Sequence, residues 1–248
     1  MPAAKLSALA DVAARRWMRA DRLGSKPPFH TLPAEFQSPQ MAETYREAAR
    51  LRRRRAERIR DAVRDREFIP ALDAMGWFDL RHVRFLEQVF PLMTFDERAT
   101  ALPYVWCRLR VMPSTARSLR LFRAASSLRE TVPVDWPAIV QVYRGSFVSH
   151  QWPEPWLLAK RIARRGIAWT TDRATAMTFT ARMPGHIGCL ATATVSRASI
   201  MAWLHDPEEC EEDGQIYPVD GYHEHECIID PRAIKRVTYE QVQAPKDI

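Results

Sequence analysis

The sequence predicts an α+β protein in which a basic, all-helical region over residues 1–130 precedes a smaller mixed domain of short strands and helices over residues 131–248. Three observations carry this expectation. Residues 41–67, MAETYREAARLRRRRAERIRDAVRDRE, form a helical pattern without a glycine or proline, built almost wholly from good helix formers. The texture then changes at Thr131-Val132-Pro133-Val134-Asp135-Trp136-Pro137, after which β-branched runs of strand length alternate with short helical patterns. Charge divides at the same place. Residues 1–135 hold 25 Lys and Arg against 16 Asp and Glu, a balance of +9, whereas residues 136–248 hold 12 against 14, a balance of −2. Halves of opposite sign meet different partners, which supports two separate units.

In the first part, Leu6, Leu9, Val12, Ala13 and Trp17 recur at helical spacing, predicting a short helix within residues 1–20. Residues 21–40, with Gly24, Pro27, Pro28, Pro33 and Pro39, read as a linker or surface arm. On the long helix over 41–67, Ala48, Leu51, Ile59, Ala62 and Val63 share one side with Arg52 and Arg55. The apolar stripe is therefore thin, and the arginine stems can cover core beneath them. Glu43, Glu47, Glu57 and Asp61 are spaced among the bases for pairing one turn apart. Asp79 is placed to cap a helix bearing Val83, Phe85, Leu86, Val89 and Phe90. Thr94-Phe95-Asp96-Glu97 has the spacing of a capping box, and the helix after it is expected to end or kink at Pro103. Ser114 opens a further helical pattern through Leu128. The aromatics Trp77, Phe78, Phe95 and Trp106 read as core.

The second part begins with Ala138 to Gly145, a strand expected to stop in a turn at Arg144-Gly145. Glu154 to Ala163 is a short helix, and Gly166 to Thr171 a second strand. Asp172 caps a helix with Ala176, Met177, Phe179 and Thr180. Gly185 to Val195 reads as a long strand, Ser196 to Trp203 as a turn of helix, and Ile234 to Val242 as a last strand. Between them, residues 205–221 form an acidic loop leading into Gly221-Tyr222-His223-Glu224-His225-Glu226-Cys227-Ile228-Ile229-Asp230.

Several function classes are excluded by composition. No run of about eighteen apolar residues is present, so no membrane span is expected. The first twenty residues lack the apolar segment of a secretory signal, which predicts a cytoplasmic protein with reduced thiols. Cys107, Cys189, Cys210 and Cys227 form no C-x-x-C pair. His223, His225, Cys227 and Cys210 offer no third ligand at a recognised spacing, so no metal is expected.

The chemistry-bearing stretch is Glu224-His225-Glu226. In a strand the two carboxylates point to one face and His223, His225, Cys227 and Ile229 to the other. Paired carboxylates on one face are costly unless solvated or used. Upstream, in order, lie Val142-Tyr143-Arg144-Gly145 and Gly166-Ile167-Ala168-Trp169-Thr170-Thr171-Asp172, with Ala176 and Phe179 behind.

These three stretches together resemble the arginine–serine–glutamate class of the ADP-ribosyltransferase superfamily, which includes bacterial toxins and phage or prophage proteins. The resemblance covers about the last 115 residues and implies a small split β-sheet domain. The family places a Ser-Thr-Ser-like triplet where this chain has Trp169-Thr170-Thr171 or Thr170-Thr171-Asp172. The resemblance implies NAD as substrate, with no metal. It implies that Glu226 stabilises the oxocarbenium-like ribose centre, that Glu224 orients or deprotonates the acceptor, and that Arg144, beside Gly145, grips a phosphate. Thr170 or Thr171 would fix Glu226 and the ribose, and Trp169 would border the nicotinamide pocket. Tyr217 and Tyr222 fall where the family's acceptor-recognition loop lies. The acceptor would be a protein or a nucleic acid, and a toxin-like member can be delivered to a host cell.

Two other readings follow from the same residues. One is a non-catalytic phage or prophage interaction protein of that fold, with Trp169 filling the nicotinamide pocket. The other is a nucleic-acid binder, or a binder of another acidic partner, built on the basic helix 41–67.

Overall fold

The computed structural model describes residues 7–8, 10–15, 18, 38–76, 78–109, 112–181, 185–204, 211–212, 215–216 and 226–243. The chain divides into two compact units, Met1–Pro113 and Ser114–Ile248. The composition change at residue 131 therefore lies inside the second unit. Tertiary bonds draw residues 114–131 there. Thr115 Oγ1 donates to the Arg165 carbonyl, Arg123 pairs with Asp230 at 2.7 Å, and the Trp203 amide donates to Thr131 Oγ1.

Among the described residues the first unit is helical, without strands. Helix α1, Pro39–Arg64, starts two residues before the uninterrupted pattern. Ser38 supplies the reason: its hydroxyl accepts from the Met41 amide, and Pro39 suits the first turn, where an N–H would have no partner. Ala56, Ile59, Ala62 and Val63 are its buried residues. Arg66 then takes a left-handed conformation, φ 65°, and its guanidinium grips Glu97 and the Leu92 carbonyl. Helix α2 is Phe68–Ala74 and α3 is Leu80–Val89, the latter capped by Asp79 as expected. Helix α4, Phe95–Arg108, opens with the expected Thr94–Glu97 box. It does not stop at Pro103 but continues to Arg108. A proline forfeits one intrahelical bond, and here Ala101, Leu102, Val105 and Trp106 bury the helix on both sides of it. Among the described residues no helix is long and apolar enough to cross a membrane.

His82 gives this unit a pH dependence. Its ring is fully buried and stacked on Phe78, with centroids 4.4 Å apart, and Nδ1 accepts the Asp79 amide in the cap. Burial lowers its pKa below the ordinary 6.5, and the nearby Asp79 charge only partly offsets this. As pH falls below about 6.5 the unfolded chain takes up a proton that folded His82 resists, so stability drops until the folded ring also protonates. His82→Gln keeps a cap-competent side chain without a titration. Denaturation measured between about pH 7 and 5 is expected to show a shallower pH slope for that variant.

The second unit is built on an antiparallel six-stranded sheet flanked by helices. In chain order it contains α5 (Thr115–Ala124), β1 (Ile139–Ser149), α6 (Pro155–Arg165), β2 (Ala168–Thr170), α7 (Arg173–Ala181), β3 (His186–Ser196), β4 (Ile200–Leu204), β5 (Glu211–Glu212), β6 (Gln215–Ile216), β7 (Glu226–Ile229) and β8 (Val237–Gln243). The sheet order is β4-β7-β2-β1-β3-β8, while β5 and β6 pair separately. Asp172 caps α7 as expected, its carboxylate accepting from the amides of Ala174 and Thr175.

Two expectations are corrected. β1 does not end in a turn at Arg144-Gly145; it runs to Ser149, held by β3 along its whole length from Ile139↔Ser196 to Ser149↔His186. Ser196 to Trp203 is not a helical turn throughout. A short 3-10 turn, Arg197–Ser199, is followed by strand β4, whose apolar residues pair with β7 in the interior. Edge pairing overrides the weak local preference of such a segment.

The two sheet faces differ. On one, Val140, Val142, Val148, Trp169, Cys189, Ala191, Ala193, Cys227 and Ile229 form a core with Ala159 and Ala163 of α6. On the other, α7 crosses β1 and β3 at two glycines. A Cβ on Gly145 would lie 2.1 Å from the Ala176 carbonyl oxygen, and one on Gly188 2.5 Å from that of Thr180. Only glycine permits this approach. Between β1 and β2 the pairing reduces to a single position, Tyr143↔Thr170. The three-residue β2 thus joins β1 within one six-stranded sheet through a single residue pair.

Candidate active site

Glu226 on β7, Trp169 and Thr170 on β2, and Tyr143 and Arg144 on β1 lie on neighbouring strands. Across them, Glu226, Thr170 and Tyr143 stand in register: Thr170↔Glu226 and Tyr143↔Thr170 are direct cross-strand partners. Directly paired residues present their side chains on the same face, so the carboxylate and the hydroxyl are neighbours. Glu226 is the first residue of β7 and half-buried. Thr170 is buried, and its hydroxyl accepts from the Asp172 amide at 3.0 Å. A threonine hydroxyl that accepts one bond retains a proton to donate.

Arg144 follows Tyr143, the residue of β1 that pairs with β2. By strand alternation it belongs to the face of Val142 and Ser146. Its guanidinium bridges to β2, with Nη1 donating to the Ala168 carbonyl oxygen. Gly166 makes room for it: a Cβ there would lie 2.0 Å from Arg144 Cζ. Gly166 has φ −69° and ψ 146°, a conformation open to any residue, so the space and not the backbone calls for glycine. Burial lowers the Arg144 pKa, and the Glu226 charge raises it in part. Arginine nevertheless stays protonated in proteins. Its Nε is buried with no hydrogen-bond partner among the described residues. The spare donor suits an anionic group, which the nearby Glu226 charge would oppose.

Other predicted residues are placed differently. Trp169 lies in the core on the face opposite Thr170, 1% exposed, with Nε1 donating to the Gly166 carbonyl at 3.1 Å. Gly145 serves the approach of α7. Thr171 is half-buried in the bend before that helix. Cys227 is buried in the core, its thiol pushed up to about 12 by burial and by Glu226. Glu224, His223, His225, Cys210, Tyr217 and Tyr222 lie outside the described residues.

The chain matches no family model, no curated protein and no solved structure. The site is therefore read from its own residues.

Two contributors escaped sequence reasoning. Tyr143 was visible only as the neighbour of Arg144, yet its register places it beside Thr170. Gly166 read as the start of the second strand, whereas it ends α6 and accommodates the guanidinium. Both follow from pairing between segments more than twenty residues apart. Glu226 and Thr170 share one sheet face, a carboxylate able to stabilise positive charge beside a hydroxyl able to orient it, whereas Arg144 lies by alternation on the opposite face, that of Val142 and Trp169.

Proposed function

We propose that the second unit is an NAD-dependent mono-ADP-ribosyltransferase of the split-sheet type, with NAD hydrolysis as a side or main activity. The observation that carries this reading is the direct pairing of Thr170 with Glu226, which sets a hydroxyl beside a carboxylate on one sheet face. The Trp169 indole leaves the space in front of Glu226 unfilled, because it lies on the opposite face, the one that also carries Arg144.

In this reading Arg144 holds a phosphate of NAD, since a guanidinium matches phosphate geometry. The C1′–N bond between ribose and nicotinamide then breaks, and nicotinamide leaves with the bonding electrons. Glu226 stabilises the positive charge that develops at C1′ and holds a ribose hydroxyl. Thr170, or Thr171, orients Glu226 by a hydroxyl hydrogen bond. An acceptor nucleophile, or water, adds to C1′ and gives up its proton, which Glu224 is assigned to orient or receive. Incubating the full chain with labelled NAD and candidate acceptors tests the reading. Release of nicotinamide or transfer of label is expected; their absence under all acceptor conditions removes it.

The seat of Arg144 offers a finer test. Gly166→Ala is tolerated by the backbone but drives the guanidinium from its place. The expected result is a rise of about tenfold in KM for NAD, the loss of one charge-assisted contact, with a smaller change in kcat. Unchanged KM in a folded variant would remove the phosphate-binding role from Arg144.

A further inference from the structure

Helix α1 carries more positive charge than its own unit neutralises. It holds nine arginines and no lysine, against four acids. Between Glu47 and Glu57 it has Arg50, Arg52, Arg53, Arg54 and Arg55 and no acid at all. Elsewhere on or beside the helix the bases are matched: Arg46 faces Glu43, Arg60 faces Asp11, Arg64 faces Asp61, and Arg66 faces Glu97, while in the central block Arg50 reaches Glu43 at 3.9 Å. Arg53, Arg54 and Arg58 are exposed, and no ion pair joins them to an acid among the described residues. At 100° per residue these three fall with Arg46 and Arg50 on the side opposite the buried Ala56, Ile59, Ala62 and Val63. The ridge from Arg46 to Arg58 is about 18 Å long at 1.5 Å per residue.

A helix face that is merely solvated sets acids one turn from its bases, as Glu43 and Asp61 are set here. The central arginines instead repel one another at i,i+3 and i,i+4 spacing, through Arg50–Arg53, Arg50–Arg54 and Arg54–Arg58. Such like-charge pairs each cost a few tenths of a kcal/mol in an isolated helix. A polyanion relieves that cost. We propose that the exposed ridge of α1, Arg50, Arg53, Arg54 and Arg58, binds the phosphate backbone of nucleic acid.

The residue type favours this partner, because guanidinium forks match phosphate oxygens and are weakly hydrated. The shape agrees as well, since a helix of about 10–12 Å diameter fits the major groove of duplex DNA. An anionic membrane surface fits less well. A helix lying in a bilayer interface inserts an apolar face opposite its basic one, and here that face is already buried within the unit. The contacts go to phosphates, so the binding is independent of base sequence and strongly salt-dependent. This proposal stands apart from the transferase reading and needs none of its residues.

The test uses the full chain and a short, labelled, mixed-sequence DNA duplex. Four phosphate contacts predict a slope of about −3.6 in log affinity against log salt, hence roughly a hundredfold weakening between 50 and 200 mM salt. Arg53→Gln, Arg54→Gln and Arg58→Gln together are expected to reduce that slope by about 2–3 and to weaken binding at 50 mM salt at least tenfold. All three residues are exposed, and unchanged circular dichroism verifies the fold. A control replaces Arg161, Arg165 and Arg232, exposed residues of the second unit, with glutamine and removes the same net charge. It is expected to bind as the parent does. The proposal is overturned by no binding at 50 mM salt, by an unchanged slope in the α1 variant, or by equal loss in the control. Preferential binding to vesicles of equal parts phosphatidylcholine and phosphatidylserine would also overturn it.

Discussion

Glu226→Gln is expected to reduce nicotinamide release from NAD by about a hundredfold or more, measured by single-turnover cleavage of labelled NAD. Glutamine keeps the size and hydrogen-bonding reach of the side chain but loses the negative charge that faces the ribose cation. The loss therefore belongs to the transition state, so kcat and kcat/KM should fall together while KM stays near its parent value. The variant should also fold. Glu226 is only half-buried at the start of β7, and its pairing with Thr170 and Leu204 runs through the backbone. One further effect needs watching. Glu226 is the charge that raises the pKa of buried Arg144. If its main service were to neutralise that arginine, Glu226→Gln would lower stability by several kcal/mol through an uncompensated buried charge. A folded variant with full nicotinamide release would sink the role of Glu226. A variant that unfolds would assign the residue to charge compensation.

Trp169→Ala is expected to cost the second unit about 3–5 kcal/mol. Among the described residues the indole is the largest fully buried side chain, and it packs in the core beneath α6. Its Nε1 donates to the Gly166 carbonyl, next to the seat of Arg144. Chemical denaturation monitored on the full chain reads this cost directly. Trp169→Phe separates packing from any contact with NAD. It keeps most of the apolar volume, leaves the Gly166 carbonyl without its donor, and should cost about 1–2 kcal/mol. Under conditions where the Phe variant is folded, KM for NAD should match the parent. A large rise in KM without loss of stability would return Trp169 to the nicotinamide pocket.

Much of the fold was legible because local chemistry decides it. Asp79, Thr94 with Glu97, and Asp172 cap helices at the positions their side chains predict. The change from helical to strand texture near Pro133 correctly marked where sheet-forming sequence begins. What failed was local reading against tertiary pairing. Arg144-Gly145 resembles a strand end because glycine often marks turns, but β3 extends the strand and the glycine admits a crossing helix. Ser196–Trp203 has no strong periodicity, and only β7 as a neighbour makes Ile200–Leu204 a strand. Pro103 signals an end or a kink, and of these the end does not occur: the helix runs on to Arg108 with apolar residues buried on both sides. Ser114–Thr131 looks helical like the residues before it, yet its bonds run to Arg165, Trp203 and Asp230.

The site divides in the same way. Sequence by itself determined which residue types are available: a carboxylate at 226, hydroxyls at 170 and 171, a guanidinium at 144, and a dense run of arginines on one helix. Alternation within one strand also determined that Glu226 and Cys227 face opposite ways, because that periodicity is a property of the backbone alone. Only tertiary structure decided that Thr170 stands opposite Glu226, that Trp169 turns into the core, and that Arg144 rests over Gly166. Register between strands depends on how whole segments bury their faces against one another. No single stretch encodes it, since a slip of one residue would exchange every side chain between the two faces.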